Sequence, residues 1–262
     1  MADIRKRKRL VVGTSGDAQL WGATNPRDGS LEGYDVELAA RIAAALGLGP
    51  SQIEYKVLAL ADRQPALNRS IDDGGVDIVA ERMTITCARW QGTSSSPAIN
   101  FSTEYYRAGQ RKLLVREDEK ATAIGGFKNR PVCGVTGSSS LASIVESGAR
   151  IVTSPTAGQC LVKFQEGEAV AITGDDTTLA GLQAQDTSSK IVGDPSADVP
   201  YGLGLPPGDS AFVQFVNYVL SGLRSDGSLA ALYKTWMGSA GGSAPSTRAV
   251  YGRNIPELKQ KT

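Results

Sequence analysis

Strand-like apolar runs alternate with helix-period segments twice along this chain, and that alternation restricts the fold more than any other feature. Leu10-Val11-Val12-Gly13-Thr14 reads as a buried strand. Turn chemistry follows at Asn25-Pro26-Arg27-Asp28-Gly29-Ser30. Val36, Leu38, Ala39, Ile42, Ala43 and Leu46 then recur at helical spacing, with Gly47 as a stop signal. Tyr55–Leu58 is a second strand. Arg63-Gln64-Pro65 opens a second helix, Gly74-Gly75 ends it, and Val76–Ala80 is a third strand. This β-α-β-α-β progression predicts a mainly parallel sheet.

A second α/β set follows an extended run over Tyr105–Glu117. Its strands are Pro131–Val135, Ile151-Val152 and Ala169–Thr173; its helices are Leu141–Ser147 and Gln159–Gly167. Tyr201–Leu205 is a second extended run, so the chain crosses back and ends in amphipathic helices over Ala211–Leu223 and Leu229–Trp236. Two ends remain. The basic arm Ile4–Arg9 is expected to be a solvated tail. The Gly-, Ser- and Pro-rich segment from Gly238 onward is expected to be a loosely packed extension.

Composition narrows the function. Of 262 residues, 41% are hydrophobic and 21% charged, as in a globular protein. A formal net charge of +1 argues against a nucleic-acid surface. The chain has no histidine, which removes Ser-His-Asp and Cys-His catalysis and the usual zinc and iron sites. No apolar run reaches the ~18 residues of a membrane span. No signal peptide is visible, since Met1-Ala2-Asp3-Ile4 opens onto a basic run. Asp175, Asp176 and Asp194 do not form a calcium-type loop, so neither a metal nor a cofactor is expected.

Three stretches carry candidate chemistry. Ala80–Arg89 presents Thr84, Thr86 and Arg89 just past a strand end, where ligands sit in open α/β sheets. A guanidinium there matches a carboxylate bidentately, although on this stretch alone a surface turn is the commoner reading. The small-residue loop Thr136-Gly137-Ser138-Ser139-Ser140 precedes a helix and points free N–H groups outward. Asp175 ends a strand; its neighbour Asp176 points to the opposite face, so a single ligand contact fits better than an acid/base pair. On the residues alone, Arg63 reads as a solvated helix residue and Trp21 as a rim or core aromatic.

The chain resembles the family 3 extracellular solute-binding proteins, the amino-acid receptors of ABC importers. The motifs that carry the resemblance run in order from Gly33-Tyr34-Asp35-Val36-Glu37-Leu38-Ala39 to Val76-Asp77-Ile78 with Met83-Thr84-Ile85-Thr86 and Arg89. Phe101-Ser102-Thr103-Glu104-Tyr105-Tyr106, Thr136-Gly137-Ser138-Ser139, Asp175-Asp176 and Tyr201–Pro206 follow, and Asp226–Leu229 with Tyr233–Trp236 closes the series. They cover roughly residues 10–238. The likeness is greatest to the actinobacterial branch that binds glutamate and aspartate.

The resemblance implies a type II periplasmic-binding-protein fold, with two α/β lobes and a ligand cleft between them. Lobe 1 is expected over residues 1–104 and 206–262, lobe 2 over 110–200, and hinge strands over 105–109 and 201–205. It assigns Arg89 to the ligand's α-carboxylate, Thr84 to a nearby hydrogen bond, and Asp175 to the α-ammonium with the main chain near Arg82. Thr136, Ser138 and Ser139 would donate from the second lobe, and Arg63 would meet the side-chain carboxylate of an acidic amino acid. Trp21 is the candidate for the aromatic that often stacks on the ligand. Ser15 and Ala157 stand where the acidic branch can carry basic groups, so amides are expected to be accepted beside acids.

The implied partners are an L-amino acid and an ABC-transporter permease or another membrane protein, with the receptor monomeric and outside the cytoplasm on a lipid anchor. A sensory module in the same architecture is the alternative. An enzyme resembling cyclohexadienyl dehydratases would need a spare cleft acid, for which Asp17 is the candidate beside Asp175. Relatives in the actinobacterial branch also carry a cysteine pair like Cys133 and Cys160. A bridge there would contribute roughly 3–4 kcal/mol; two buried free thiols are the other reading. Cys87 is left over, with no histidine to activate it.

Overall fold

The structure, a computed structural model, describes residues 1–109, 112–193 and 198–238. Elements are numbered in chain order. The first sheet contains β1 (Leu10–Thr14), β5 (Ile53–Val57), β6 (Ile78–Ala80), β7 (Asn100–Gly109) and β13 (Asp198–Leu205), in the spatial order β5-β1-β6-β13-β7. β1 pairs in parallel with β5 and β6, while β13 runs antiparallel to β6 and β7. The second sheet has the order β10-β9-β11-β8-β12, from β8 (Lys112–Arg116), β9 (Pro131–Val135), β10 (Arg150–Ser154), β11 (Ala171–Gly174) and β12 (Ser189–Gly193). Its β9 is parallel to β10 and β11, and β8 is antiparallel to β11 and β12. A small antiparallel sheet joins β2 (Asp17–Ala18), β3 (Gly22–Thr24) and β4 (Leu31–Glu32). This is the two-lobed α/β architecture expected from the motif order.

Both faces of each large sheet are covered, which explains why the strands read as continuous apolar runs. In β1, Leu10 and Val12 enter the main core while Val11 enters a second cluster on the other face. In β6, Ile78 and Ala80 face the main core and Val79 the second. The main core is closed by α2 (Tyr34–Ala45), α8 (Ser210–Ser225) and α9 (Ser228–Met237), through Leu38, Ile42, Val216, Leu220 and Leu229. The second cluster takes Ala66 and Leu67 from α3 (Arg63–Leu67). In the second lobe, α6 (Ala157–Gln165) and α7 (Asp176–Gln183) cover one face of the sheet, with Phe164 and Leu179 among the packed residues. A disulfide joins Cys133 of β9 to Cys160 of α6, with the Cα atoms 5.6 Å apart. Cys87, in α4 (Cys87–Gln91), is free and exposed.

Four local expectations change. The basic arm is not a solvated tail: it forms α1 (Ala2–Arg7), which buries Ile4 and sets Arg7 Nη2 between the two oxygens of Asp77, at 2.7 Å from each. Asp77 can hold that arginine because it is already fixed by the Val11 N–H at 2.9 Å. The helix opened by Arg63 stops at Leu67 rather than at Gly74, because a turn follows in which the Ser70 hydroxyl bonds Asp73. The helix after the Thr136 loop is α5 (Ser139–Ile144), starting two residues earlier than its apolar pattern, because Ser138 caps it through the Leu141 N–H at 3.1 Å. Helix α7 and strand β12 lie where no element was expected. The segment beyond Gly238, residues 110–111 and Asp194 lie outside the described residues.

Candidate ligand-binding cleft

One cleft lies between the two lobes. It spans about 660 Å³ of space between the walls, the open solvent at its mouth included. Asp17, Arg63, Arg82, Thr84 and Arg89 line it from the first lobe; Ser138, Ser139 and Asp175 line it from the second.

The first-lobe wall is organised by the turn after β6. Asp35, in the first turn of α2, is 1% exposed. It accepts from the Tyr105 hydroxyl at 2.6 Å and from the Arg82 N–H at 2.9 Å. Burial pushes its carboxyl up to about 6, opposed by those two hydrogen bonds and by the Arg82 and Arg63 charges. Anchored this way, Arg82 is held at a φ of 45°, a conformation non-glycine residues rarely adopt. Thr84 and Arg89 follow. The Thr86 hydroxyl caps α4 by accepting the Arg89 N–H at 3.2 Å, which sets the arginine one turn into the helix.

The arginines are positioned by carbonyls rather than by acids. Arg63 is 3% exposed and donates to Leu60 (2.9 Å), Glu81 (3.0 Å) and Gly137 (3.2 Å). Arg89 donates to Thr84 (2.8 Å) and Gly137 (3.0 Å). Burial of the Arg89 guanidinium, reinforced by the Arg63 charge, pulls its pKa down to about 9, so it stays cationic at neutral pH. Among the described residues neither guanidinium forms a direct ion pair; Glu81 and Asp175 act on both only through space.

The opposite wall presents a carboxylate. Asp175 is the N-cap residue of α7 and is 9% exposed. Its oxygens accept from the Ser140 hydroxyl (2.7 Å) and the Tyr201 hydroxyl (2.5 Å). Further contacts bridge the lobes. Thr84 Oγ1 meets Ser139 Oγ at 2.9 Å, and Arg82 donates to the Thr178 hydroxyl.

Two expected site residues are not in the cleft. Trp21 is 1% exposed, and its ring packs against Tyr34, Tyr106 and Tyr201 at centroid separations of 5.2, 4.9 and 5.9 Å. Burying that large ring in the core outweighs presenting it to a ligand. Its backbone also seats α2: the Asp35 N–H donates to the Trp21 carbonyl at 2.9 Å. Gly33 is required there, since its φ is 135° and a Cβ would fall 2.4 Å from that carbonyl. Thr136 is exposed and does not line the cleft, because its N–H is taken by the Ser154 carbonyl at 3.0 Å as β9 ends.

Glu81 and Thr178 line the cleft without having been singled out, and Ser140 of the small-residue loop lines it too. Glu81 is 2% exposed; burial pushes its carboxyl up to about 7, against the pull of Arg63 and Arg82. The only sequence signal for it was its place beside Arg82 at a strand end.

Two α/β lobes closing on a cleft of opposed cations and carboxylates constitute the architecture of two-lobed solute-binding proteins. The family model for bacterial extracellular solute-binding proteins, family 3, matches residues 10–239, and the chain belongs to that family. The ABC transporter glutamine-binding protein GlnH of Bacillus subtilis is 29% identical over 90% of this chain and 84% of its own. The glutamate-binding protein GluB of Corynebacterium glutamicum is 27% identical over 84% and 76%. Among solved structures, the ancestral amino acid-binding protein AncCDT-1, a precursor of cyclohexadienyl dehydratase, superposes with a TM-score of 0.77 at 26% identity, covering 90% of this chain and 97% of that one. Among the described residues, no helix is long and apolar enough to cross a membrane.

Proposed function

We propose that the protein is an extracellular receptor that closes on a polar L-α-amino acid and delivers it to an ABC importer. The observation that carries this reading is the placement of Arg89 and Asp175 on opposite walls of one cleft. Arg89 takes the α-carboxylate, exchanging the Gly137 carbonyl for a charged acceptor, with Thr84 and Ser139 beside it. Asp175 takes the α-ammonium. Arg63 and Arg82 stand at the side-chain end, as suits glutamate or aspartate and also their amides. Relatives named for glutamine and for glutamate support this ligand class.

Closure is a hinge motion of lobe 1 against lobe 2 about strands 105–109 and 201–205. The register breaks between Tyr201 and Gly202 and between Gly202 and Gly204, where β13 pairs with β7, support a bend there. The receptor works as a monomer, held by a lipid anchor near the permease it serves.

Calorimetric titration with L-glutamate, L-aspartate, L-glutamine, L-asparagine and L-arginine tests the reading. Micromolar or tighter binding of at least one is expected; no heat from any of them would overturn it. A dehydratase reading is favoured only by Glu81, a cleft carboxyl with the raised pKa of a general acid. No turnover of prephenate or arogenate is expected, and measurable turnover would replace the receptor reading.

A further inference from the structure

Glu81 has no task in the amino-acid reading. It follows the last residue of β6, lines the cleft and is 2% exposed. Its Oε2 is shielded from water and meets no hydrogen-bond donor, a costly state for a carboxylate. The neighbouring guanidinium does not relieve it, since Arg63 Nη1 donates to the Glu81 carbonyl at 3.0 Å. With Arg89 and Asp175 assigned to the ligand's α-groups, the charges left for its side chain are Arg63 and Arg82 against Glu81 and Asp17. These cancel. A ligand carboxylate would add an uncompensated negative charge beside Glu81. A carboxamide adds none; it brings an N–H donor for the Glu81 carboxylate and a carbonyl that a guanidinium can bind.

We propose that Glu81 determines specificity at the side-chain end of the cleft and selects a carboxamide amino acid over the corresponding acid. The proposal rests on the amino-acid reading above. Glu81 accepts the amide N–H of the bound side chain while Arg63 donates to its carbonyl oxygen. An acidic side chain enters only with a proton on Glu81, which then donates its O–H to the ligand carboxylate. The charged groups facing Glu81 are Arg63 of α3, Arg82 beside it, Arg89 of α4, Asp35 of α2 and Asp17 of β2. Their balance and its burial bring the Glu81 carboxyl up to about 7, so the proton is at hand near neutrality and lost above it.

The test is calorimetric titration of wild type and Glu81→Gln with L-glutamine, L-asparagine, L-glutamate, L-aspartate and L-arginine at about pH 6 and about pH 8.5. At the higher pH, one amide should bind at least about tenfold more tightly than its acid. The acid should weaken about 30-fold between the two, the ratio of protonated fractions for a group titrating near 7, and the amide less than about threefold. Glu81→Gln should flatten the acid's pH profile and narrow the amide-to-acid ratio at the higher pH by about tenfold. The wild-type profiles decide the matter even where the variant fails to fold. An acid bound as tightly at the higher pH as at the lower, or a preference for L-arginine, would overturn the role of Glu81 and leave the receptor reading standing. No binding of any amino acid by wild type would overturn both.

Discussion

Gly137 and Ala61 meet backbone to backbone across the cleft: a Cβ on Gly137 would fall 2.6 Å from the Ala61 Cα. Gly137 also has a φ of 80°, and its carbonyl is the shared acceptor of Arg63 and Arg89. Any side chain there props the lobes apart and strains the turn. Gly137→Ala is expected to weaken ligand binding by about tenfold or more. Small-angle scattering of the ligand-saturated variant should show a larger radius of gyration than wild type. An unchanged radius would mean that the contact does not limit closure.

Arg89 is held by two carbonyls and faces Asp175 across the cleft. Arg89→Ala leaves the ligand's α-carboxylate buried without a partner, at a cost of about 3–5 kcal/mol. Affinity should fall by roughly a hundred- to a thousandfold or more, as read by calorimetry. Arg89→Lys should recover only part of the loss, because an ammonium cannot reproduce the fork. Wild-type affinity in either variant would remove Arg89 from the site.

The Cys133–Cys160 bridge ties a sheet strand to the helix that covers it. Replacing both cysteines with serine should lower unfolding free energy by about 3–4 kcal/mol in guanidinium denaturation. A strong reductant acting on wild type should have the same effect. A loss below about 1 kcal/mol would show that packing alone holds β9 to α6.

Glu81 and Asp35 make the stability of this protein pH-dependent in an unusual direction. Both carboxyls are raised by burial, Glu81 from 4.5 to about 7 and Asp35 from 3.8 to about 6. The folded chain therefore holds protons that the unfolded chain has released. Their favourable contribution is complete below about pH 4 and is lost as pH rises through 6 and 7. Glu81→Gln removes one of the two titrations. Relative to wild type, the variant should gain roughly 3 kcal/mol between about pH 4 and about pH 8, measured by chemical denaturation at each pH. No change in the difference between the two proteins would mean that Glu81 titrates normally.

What the sequence displayed and what it hid follow from where the information lies. β1, α2 and β9 were legible because apolar periodicity and glycine stops are local signals. Helix α7 was not, because only Leu179 and Leu182 are buried along it and its start is set by Asp175 in the cleft. Helix α1 was hidden by its charges; its single buried residue, Ile4, and the Arg7–Asp77 pair have meaning only beside β1 and β6. In the cleft, Arg89, Thr84 and Asp175 stood out as polar groups at strand and helix ends. Glu81 did not, since its burial and its unpartnered oxygen exist only in the folded chain. Trp21 was legible from its residue type as a core aromatic; the family resemblance that offered it to the ligand was not followed here, where Tyr34, Tyr106 and Tyr201 enclose it.

With two cysteines locked in the disulfide, Cys87 is the single free thiol of the chain, and it lies at the surface two residues before Arg89. It offers a labelling handle on α4, the helix that carries Arg89. A fluorescent dye attached to Cys87 would sit at one defined place and make the helix that carries Arg89 visible in solution.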